Sequence, residues 1–320
     1  MKYDIYFHND FDGRASAALM LAFLRSRGDD LEHYVPVDFD MEEQWLAENF
    51  FEKHRLFRGK RNPAIVVDFL YNPGAAFWYD HHSTSIKKAA WKKKFKRDKA
   101  HVLAPHYRSC CHAVYDALRK NYGWKPQRHL RELVRWLDVI DGARYASAGQ
   151  TIAIKEPALQ VDAFIERKNG DAKLAQWMIG LLAERPLGAI ARLPAVAREV
   201  RAYRADIRRS LAFYKKYLRV FDGRIALIDL TRTSLKRLLY APFYFYPKIR
   251  YAIRFTHKDG WFHISTGENP WRPSGKLHIG TLLQRYGGGG HQAVGGAEFY
   301  SRKEAERAIK EIIEALNAKG

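Results

Sequence analysis

The feature that most constrains this chain is the alternation of strand and helix signals along its first 82 residues. "KYDIYFH" (2–8) reads as a strand, and "GRASAALMLAFLRSRG" (13–28) as a helix closed by Gly28. "EHYVPVDF" (32–39) and "MEEQWLAENFFEK" (41–53) repeat the pair, and "PAIVVDFL" (63–70) and "AAFWYDHH" (75–82) add two strands. A βαβα rhythm predicts an α/β class, a mostly parallel sheet covered by helices on both faces.

Helices are predicted over 109–123 and 128–143, with further helices lacking distinctive chemistry to 195. A long helix over 196–219 carries Val196, Val200, Tyr203, Ile207 and Leu211 on one stripe. The pattern then restarts with strands over 223–230, 248–256 and 260–267, a helix over 276–287, a glycine-rich segment leading into a strand, and a final helix opened by Ser301 with Glu304 at capping-box spacing. The expected domains are 1–195, a connecting helix over 196–222, and a smaller α/β domain over 223–320.

Of the net charge of +20, residues 1–50 hold −7, from four Lys/Arg against eleven Asp/Glu, leaving +27 for the rest. An acidic head on a basic body suggests cations held at one place and a polyanion gripped around it; a general solubility bias is the plain alternative. No run of about 18 apolar residues is present, so no membrane helix is expected. The start "MKYDIYFHND" lacks the features of a signal peptide. The two cysteines, Cys110 and Cys111, are sequence neighbours with no CxxC pair, which suits a reduced, cytoplasmic protein.

"HNDFDG" places His8, Asp10 and Asp12 at i, i+2 and i+4, on one side of an extended segment at a strand end. Asp68 ends "AIVV", although a turn aspartate reads equally well there. "WYDHHSTS" supplies Asp80, His81 and His82, and "DVIDGARY" supplies Asp138 and Asp141. Clustered carboxylates repel unless protonated or bound to cations. Mixed His and Asp donors without Cys suit Mn²⁺, with Mg²⁺, Co²⁺ or Fe²⁺ as alternatives, and the set is large enough for two divalent ions.

"HNDFDG", "VVDF", "YDHHSTS" and "DVIDGARY", in that order, resemble the four motifs of the DHH phosphoesterase superfamily, and "RYGGGGHQAVGG" (285–296) resembles the glycine-rich signature of its DHHA1 branch. The resemblance spans nearly the whole chain. It implies an N-terminal DHH catalytic domain and a C-terminal DHHA1 substrate-binding domain. It implies metal ligands at His8, Asp10, Asp12, Asp68, His81 and Asp141, with Asp68 shared by two ions. Asp141 is preferred to Asp138 because Tyr145 stands where the family has an aromatic. Asp80 would orient an imidazole, and His82 would meet substrate phosphate.

The resemblance also implies that Gly288, Gly289, Gly290 and His291 hold phosphate or sugar, since glycine backbone N–H groups approach anions closely. Arg108 and Arg272 are candidate phosphate contacts, and Asn269 and Trp271 belong either to that surface or to an ordered loop. "KKAAWKKKFKRDK" (87–99) holds eight basic residues in thirteen with Trp91 and Phe95 between them, suiting single-stranded nucleic acid or an ordinary solvated face. The activity implied is Mn²⁺-dependent hydrolysis of phosphodiester bonds in short oligonucleotides by a two-metal mechanism. Cyclic dinucleotides or their linear products come second, nucleotide or polyphosphate substrates third. A non-catalytic nucleic-acid-binding module is the contrasting class. The oligomeric state is open, a homodimer included.

Overall fold

Strands β1 (Lys2–His8), β2 (Asp30–Val37), β3 (Ala64–Val67), β4 (Phe77–Asp80) and β5 (His101–Leu103) form a sheet in the order β2-β1-β3-β4-β5. Every pairing in it is parallel. The computed structural model describes residues 1–53, 62–273 and 277–319. Positions 274–276, the end of the expected loop and the first residue of the helix expected over 276–287, lie outside the described residues.

The apolar strands are continuous because both sheet faces are covered. Ile5, Phe7, Ile65, Val67 and Tyr79 point into a core built with helices α1 (Phe11–Arg25), α5 (Cys110–Tyr122), α6 (Arg128–Ile140), α8 (Pro157–Arg167) and α9 (Ala172–Glu184). Tyr6, Val66 and Trp78 point the other way, into an aromatic layer with Trp45 and Phe50. The remaining helices before residue 218 are α2 (Glu42–Trp45), α3 (Phe50–Lys53), α4 (Ala89–Lys94), α7 (Ala148–Ala153), α10 (Leu187–Ala191) and α11 (Pro194–Tyr217).

One expected helix, 41–53, is instead the two short helices α2 and α3 after a 3-10 turn over Phe39–Met41. Trp45 and Phe50 are both buried, their ring centroids 4.7 Å apart. Five residues apart on one continuous helix they would diverge by about 140°. A break lets both face the sheet. Asn72 stabilises it, donating through Nδ2 to the Trp45 and Ala47 carbonyls at 2.8 and 3.2 Å.

The chain divides into two compact units, Met1–Arg144 with Lys155–Val200, and Tyr145–Ile154 with Arg201–Gly320. The segment 145–154 thus groups with the second unit. That unit holds β6 (Arg219–Phe221), β7 (Ile225–Asp229), β8 (Tyr251–Lys258), β9 (Trp261–Glu268), β10 (Gly289–Gly290) and β11 (Val294–Phe299), ordered β10-β11-β9-β8-β7-β6. Only β7 and β8 pair in parallel. Helices α13 (Ile279–Gln284) and α14 (Arg302–Lys319) cover one face, burying Ile253, Phe255 and Ile264, and α12 (Ala241–Phe245) lies between β7 and β8 in sequence.

Candidate metal centre

Register brings the acidic groups level. Phe7 pairs with Val67 and Val67 with Tyr79, so the next residues, His8, Asp68 and Asp80, stand side by side at the carboxyl edge of the sheet. Open parallel sheets build their sites at this edge. Asp10 caps α1, accepting from the Gly13 N–H at 2.9 Å. A Cβ at Gly13 would lie 2.0 Å from the His8 carbonyl oxygen, so only glycine lets α1 start this close to β1. Asp68 leaves β3 with φ +57°, a left-handed conformation that aspartate tolerates better than most residues.

Distances within the cluster are short. His81 Nε2 lies 3.4 Å from Asp141 Oδ2 and 3.9 Å from both Asp12 Oδ2 and Asp68 Oδ1. His8 Nδ1 lies 2.9 Å from Asp10 Oδ2 and 3.8 Å from Asp68 Oδ2. Three overlapping sets have donor atoms close enough to share an ion: Asp68, Asp80, His81 and His82; His8, Asp10 and Asp68; and Asp12, His81 and Asp141. Asp68 and His81 each belong to two of the sets. Their facing atoms, Asp68 Oδ1 and His81 Nε2, are buried and have no hydrogen-bond partner. Buried polar atoms are nearly always paired, and these two, 3.9 Å apart, are donors that a cation between them could satisfy.

The electrostatics agree. Burial, reinforced by the adjacent carboxylates, pushes the Asp12 and Asp68 carboxyls well above the ordinary range. Asp141 keeps 29% of its side chain exposed, yet burial of its carboxyl and the nearby Asp10 push it up to about 7. Burial and the neighbouring His82 lower the His81 pKa. Its Nδ1 faces the Tyr107 carbonyl at 3.3 Å, so a neutral ring donates there and turns the Nε2 lone pair into the cluster. Asp80 accepts from the backbone N–H groups of His81 and His82 and from His82 Nδ1, at 2.6, 3.0 and 2.8 Å. That last bond raises the His82 pKa. Half-exposed and oriented, His82 is a directed donor at the rim of the cluster.

Asp138 stands apart. Its carboxylate accepts from Ser109 Oγ at 2.9 Å and meets His112 Nδ1 at 2.7 Å, tying α6 to the start of α5. Arg108 is exposed, its Cβ 3.3 Å from where a Cβ on Gly142 would sit, so it flanks the residue after Asp141. The aromatic residues of the basic run do not face solvent. Trp91 is 4% exposed, and Phe95 packs at 5.1 Å from Tyr71 and 5.5 Å from Trp78. The spacing that suggested base stacking is the anchoring side of α4, while Lys92, Lys93 and Lys94 lie exposed on its other side.

In the second unit, Gly289 and Gly290 form β10, one arm of a hairpin with β11. The N–H groups of Gly288 and His291 do not stand free. They donate to the Leu283 and Val294 carbonyls at 3.1 and 2.8 Å. Gly288 and Gly290 allow close packing, since a Cβ on Gly288 would meet the Gly296 carbonyl oxygen at 2.1 Å and one on Gly290 the Val294 carbonyl oxygen at 2.3 Å, while a Cβ on Gly289 would meet open space. The His291 side chain is exposed. Asn269 is buried and donates to the Ile249 carbonyl at 2.8 Å, and Trp271 Nε1 donates to the Tyr145 carbonyl at 2.8 Å. Both hold an ordered loop, from which Arg272 projects exposed.

Sequence reasoning passed over three contributors. Ser85, 2% exposed, donates through Oγ to Asp80 Oδ2. Asp38, at the end of β2, lies 3.6 Å from His8 Nε2. The backbone N–H groups of Cys110 and Cys111 hold Asp12. Asp38 could have been found from its place at a strand end. Ser85 stands inside "YDHHSTS" and was within reach of the same reading, whereas the contact of Cys110 and Cys111 with Asp12 joins distant segments that no local pattern encodes.

No family model and no curated protein matches the sequence. Solved structures do match. A pGpG-specific phosphodiesterase, PggH from Vibrio cholerae, aligns with a TM-score of 0.75 at 19% identity, over 99% of this chain and 100% of its own. The DHH domain of a member of a ribosomal-protein family aligns with a TM-score of 0.60 at 14% identity, covering 98% and 86%. An exopolyphosphatase-related protein from Bacteroides fragilis gives 0.52 at 16%, covering 99% and 92%. The parallel sheet, the second mixed sheet and these alignments together give the chain the fold of the DHH-family proteins.

Proposed function

We propose that the chain is a divalent-metal-dependent phosphodiesterase acting on short oligonucleotides, down to linear dinucleotides. The observation that carries this reading is the buried, unpartnered pair Asp68 Oδ1 and His81 Nε2 at the centre of overlapping His/Asp sets. Hard oxygen donors mixed with imidazole suit Mn²⁺ first, with Mg²⁺ or Co²⁺ as alternatives. When bound, such cations supply Lewis acidity toward a phosphoryl oxygen.

The chain's own residues do the rest. Asp12, Asp141 and His81 would hold one position, and His8 and Asp10 the other, with Asp68 shared. Asp80 fixes the His82 ring through Nδ1, which leaves Nε2 to donate to a phosphate oxygen. Ser85 in turn holds Asp80. A donor fixed before the substrate arrives costs little reorganisation as charge builds on the phosphoryl group.

The substrate range follows from chemistry and likeness. A chain carrying +20 favours polyanions over a neutral ester. The likeness to PggH supports the dinucleotide end of the oligonucleotide range. The test is a panel of di- to decanucleotides, cyclic di-AMP, phosphoadenosine phosphate and polyphosphate, with Mn²⁺ and with chelator. Chelator-sensitive cleavage of the di- to tetranucleotides is expected. Binding of oligonucleotides with no hydrolysis of any member under any metal would leave a non-catalytic module instead.

A further inference from the structure

The β1–β2 pairing carries the acidic edge one strand further. His8 pairs with Val37, so the next residues, Asn9 and Asp38, stand side by side where the two strands end. Asp38 precedes the 3-10 turn, but its side chain makes no capping bond there. It belongs to none of the three His/Asp sets. Its Oδ1 lies 3.6 Å from His8 Nε2, while His8 Nδ1 is the atom that faces Asp10 and Asp68. The Phe39 ring stands edge-on to the His8 ring, centroids 5.5 Å apart. Behind Asn9 lies a buried cation that the metal cluster does not use. Arg14 is fully buried near the start of α1, and among the described residues no carboxylate lies within ion-pair distance of it. Its Nη2 donates to Asn9 Oδ1 at 2.7 Å, and its Nε and Nη1 have no partner.

A buried guanidinium held in this way is costly, so its place calls for a reason. An amide side chain has one accepting end and one donating end. With Oδ1 committed to Arg14, Asn9 presents Nδ2, and its hydrogen bond to Asp38 runs from the amide to the carboxylate. The donors therefore point one way, from Arg14 to Asn9 and from Asn9 to Asp38, and Asp38 stands beside the outer nitrogen of an imidazole. We propose that Asn9 and Asp38 are positioning residues for His8, with Arg14 fixing the Asn9 amide, so that His8 meets an ion through Nδ1 while Asp38 holds Nε2–H. This rests on the metal-dependent reading of the cluster. Ligand imidazoles commonly donate their second N–H to a carboxylate, which fixes the ring and raises its basicity. Bringing the 3.6 Å separation to a hydrogen bond takes a shift of less than about 1 Å, and the Asp38 side chain is half-exposed and free to make it.

The test is Mn²⁺ titration of the full chain without substrate, with free Mn²⁺ read by its electron paramagnetic resonance signal. Asn9→Asp keeps the shape of the side chain and gives Arg14 a counter-charge, so the variant should fold. It also replaces the donor to Asp38 by a second carboxylate, which repels it. One of the two Mn²⁺ positions should weaken by about 10-fold or more, the usual cost of losing a group that orients a ligand, although the chain has gained a negative charge. Asp38→Asn, at a half-exposed position, should weaken the same position by a similar factor while losing a negative charge. The two variants change the charge in opposite senses, so a purely electrostatic role would move the affinity in opposite directions, and a merely structural one would lower the melting temperature in EDTA without selecting one position. Mn²⁺ binding in Asn9→Asp as tight as in the wild type or tighter, or wild-type binding in Asp38→Asn, would overturn the proposal. Because hydrolysis is not read, a chain that binds Mn²⁺ and cleaves nothing can still pass, and an active phosphodiesterase can still fail.

Discussion

Asp12 accepts the backbone N–H groups of Cys110 and Cys111 at 2.6 and 3.0 Å, so a carboxylate of α1 sits on the amino-terminal end of α5. Helix amino termini favour negative charge. The contact fixes the first turn of α1 against a helix a hundred residues away, and turns Asp12 toward His81. Preorganisation of this kind explains how several carboxylates share one small volume in the folded chain.

Asp68→Asn should reduce Mn²⁺-dependent phosphodiester hydrolysis by about 10³-fold or more, the several kcal/mol that metal chemistry contributes. Asparagine keeps the left-handed backbone that Asp68 adopts, so circular dichroism should be unchanged. Activity within tenfold of wild type would remove Asp68 from the centre.

The metal-free chain should lose stability as pH rises from 5 to 8. The folded-state pKa values of Asp12 and Asp68 are raised, and that of Asp141 reaches about 7. Above the unfolded carboxylate pKa the folded state therefore binds more protons, so stability declines up to the folded values. Melting temperatures in EDTA at the two pH values check the sign. Added Mn²⁺ should raise the melting temperature more at pH 8 than at pH 5, because ions bind the deprotonated ligands.

Asp141→Asn and Asp138→Asn should separate. The first should weaken Mn²⁺ binding by at least tenfold, since Asp141 Oδ2 faces His81 Nε2. The second should cost about 1–2 kcal/mol of stability through the lost Ser109 and His112 bonds, with Mn²⁺ affinity near wild type. Titration and urea unfolding of both variants decide it.

Ser85→Ala should lower activity about 10–100-fold, the usual effect of losing a group that orients a ligand or donor. The backbone N–H groups of His81 and His82 would still hold Asp80, so the protein should fold. Wild-type kcat/KM in this variant would show that Asp80 needs no help.

Trp91→Ala should destabilise the chain by about 3–5 kcal/mol, as for other buried large aromatics, since Trp91 is 4% exposed. Replacing Lys92, Lys93 and Lys94 together by Gln should instead leave stability unchanged. It should reduce the salt slope of single-stranded nucleic-acid binding by about 2, if each lysine neutralises one phosphate. A slope equal to wild type would make this run an ordinary solvated face.

Local order determined what could be read from the residues alone. The strand–helix rhythm of the first 82 residues marked a mostly parallel sheet, because parallel strands need crossover connections that cover its faces. The chemistry-bearing residues at those strand ends were legible for the same reason. A break between α2 and α3 was not, because it answers to Trp45 and Phe50 reaching one aromatic layer. Tertiary structure alone decided which of Asp138 and Asp141 turns to His81, which residues hold Asp12, and that the aromatics of the basic run lie inside. Those outcomes depend on distances of a few ångströms between segments far apart in sequence, and a linear pattern specifies residue types but not such distances.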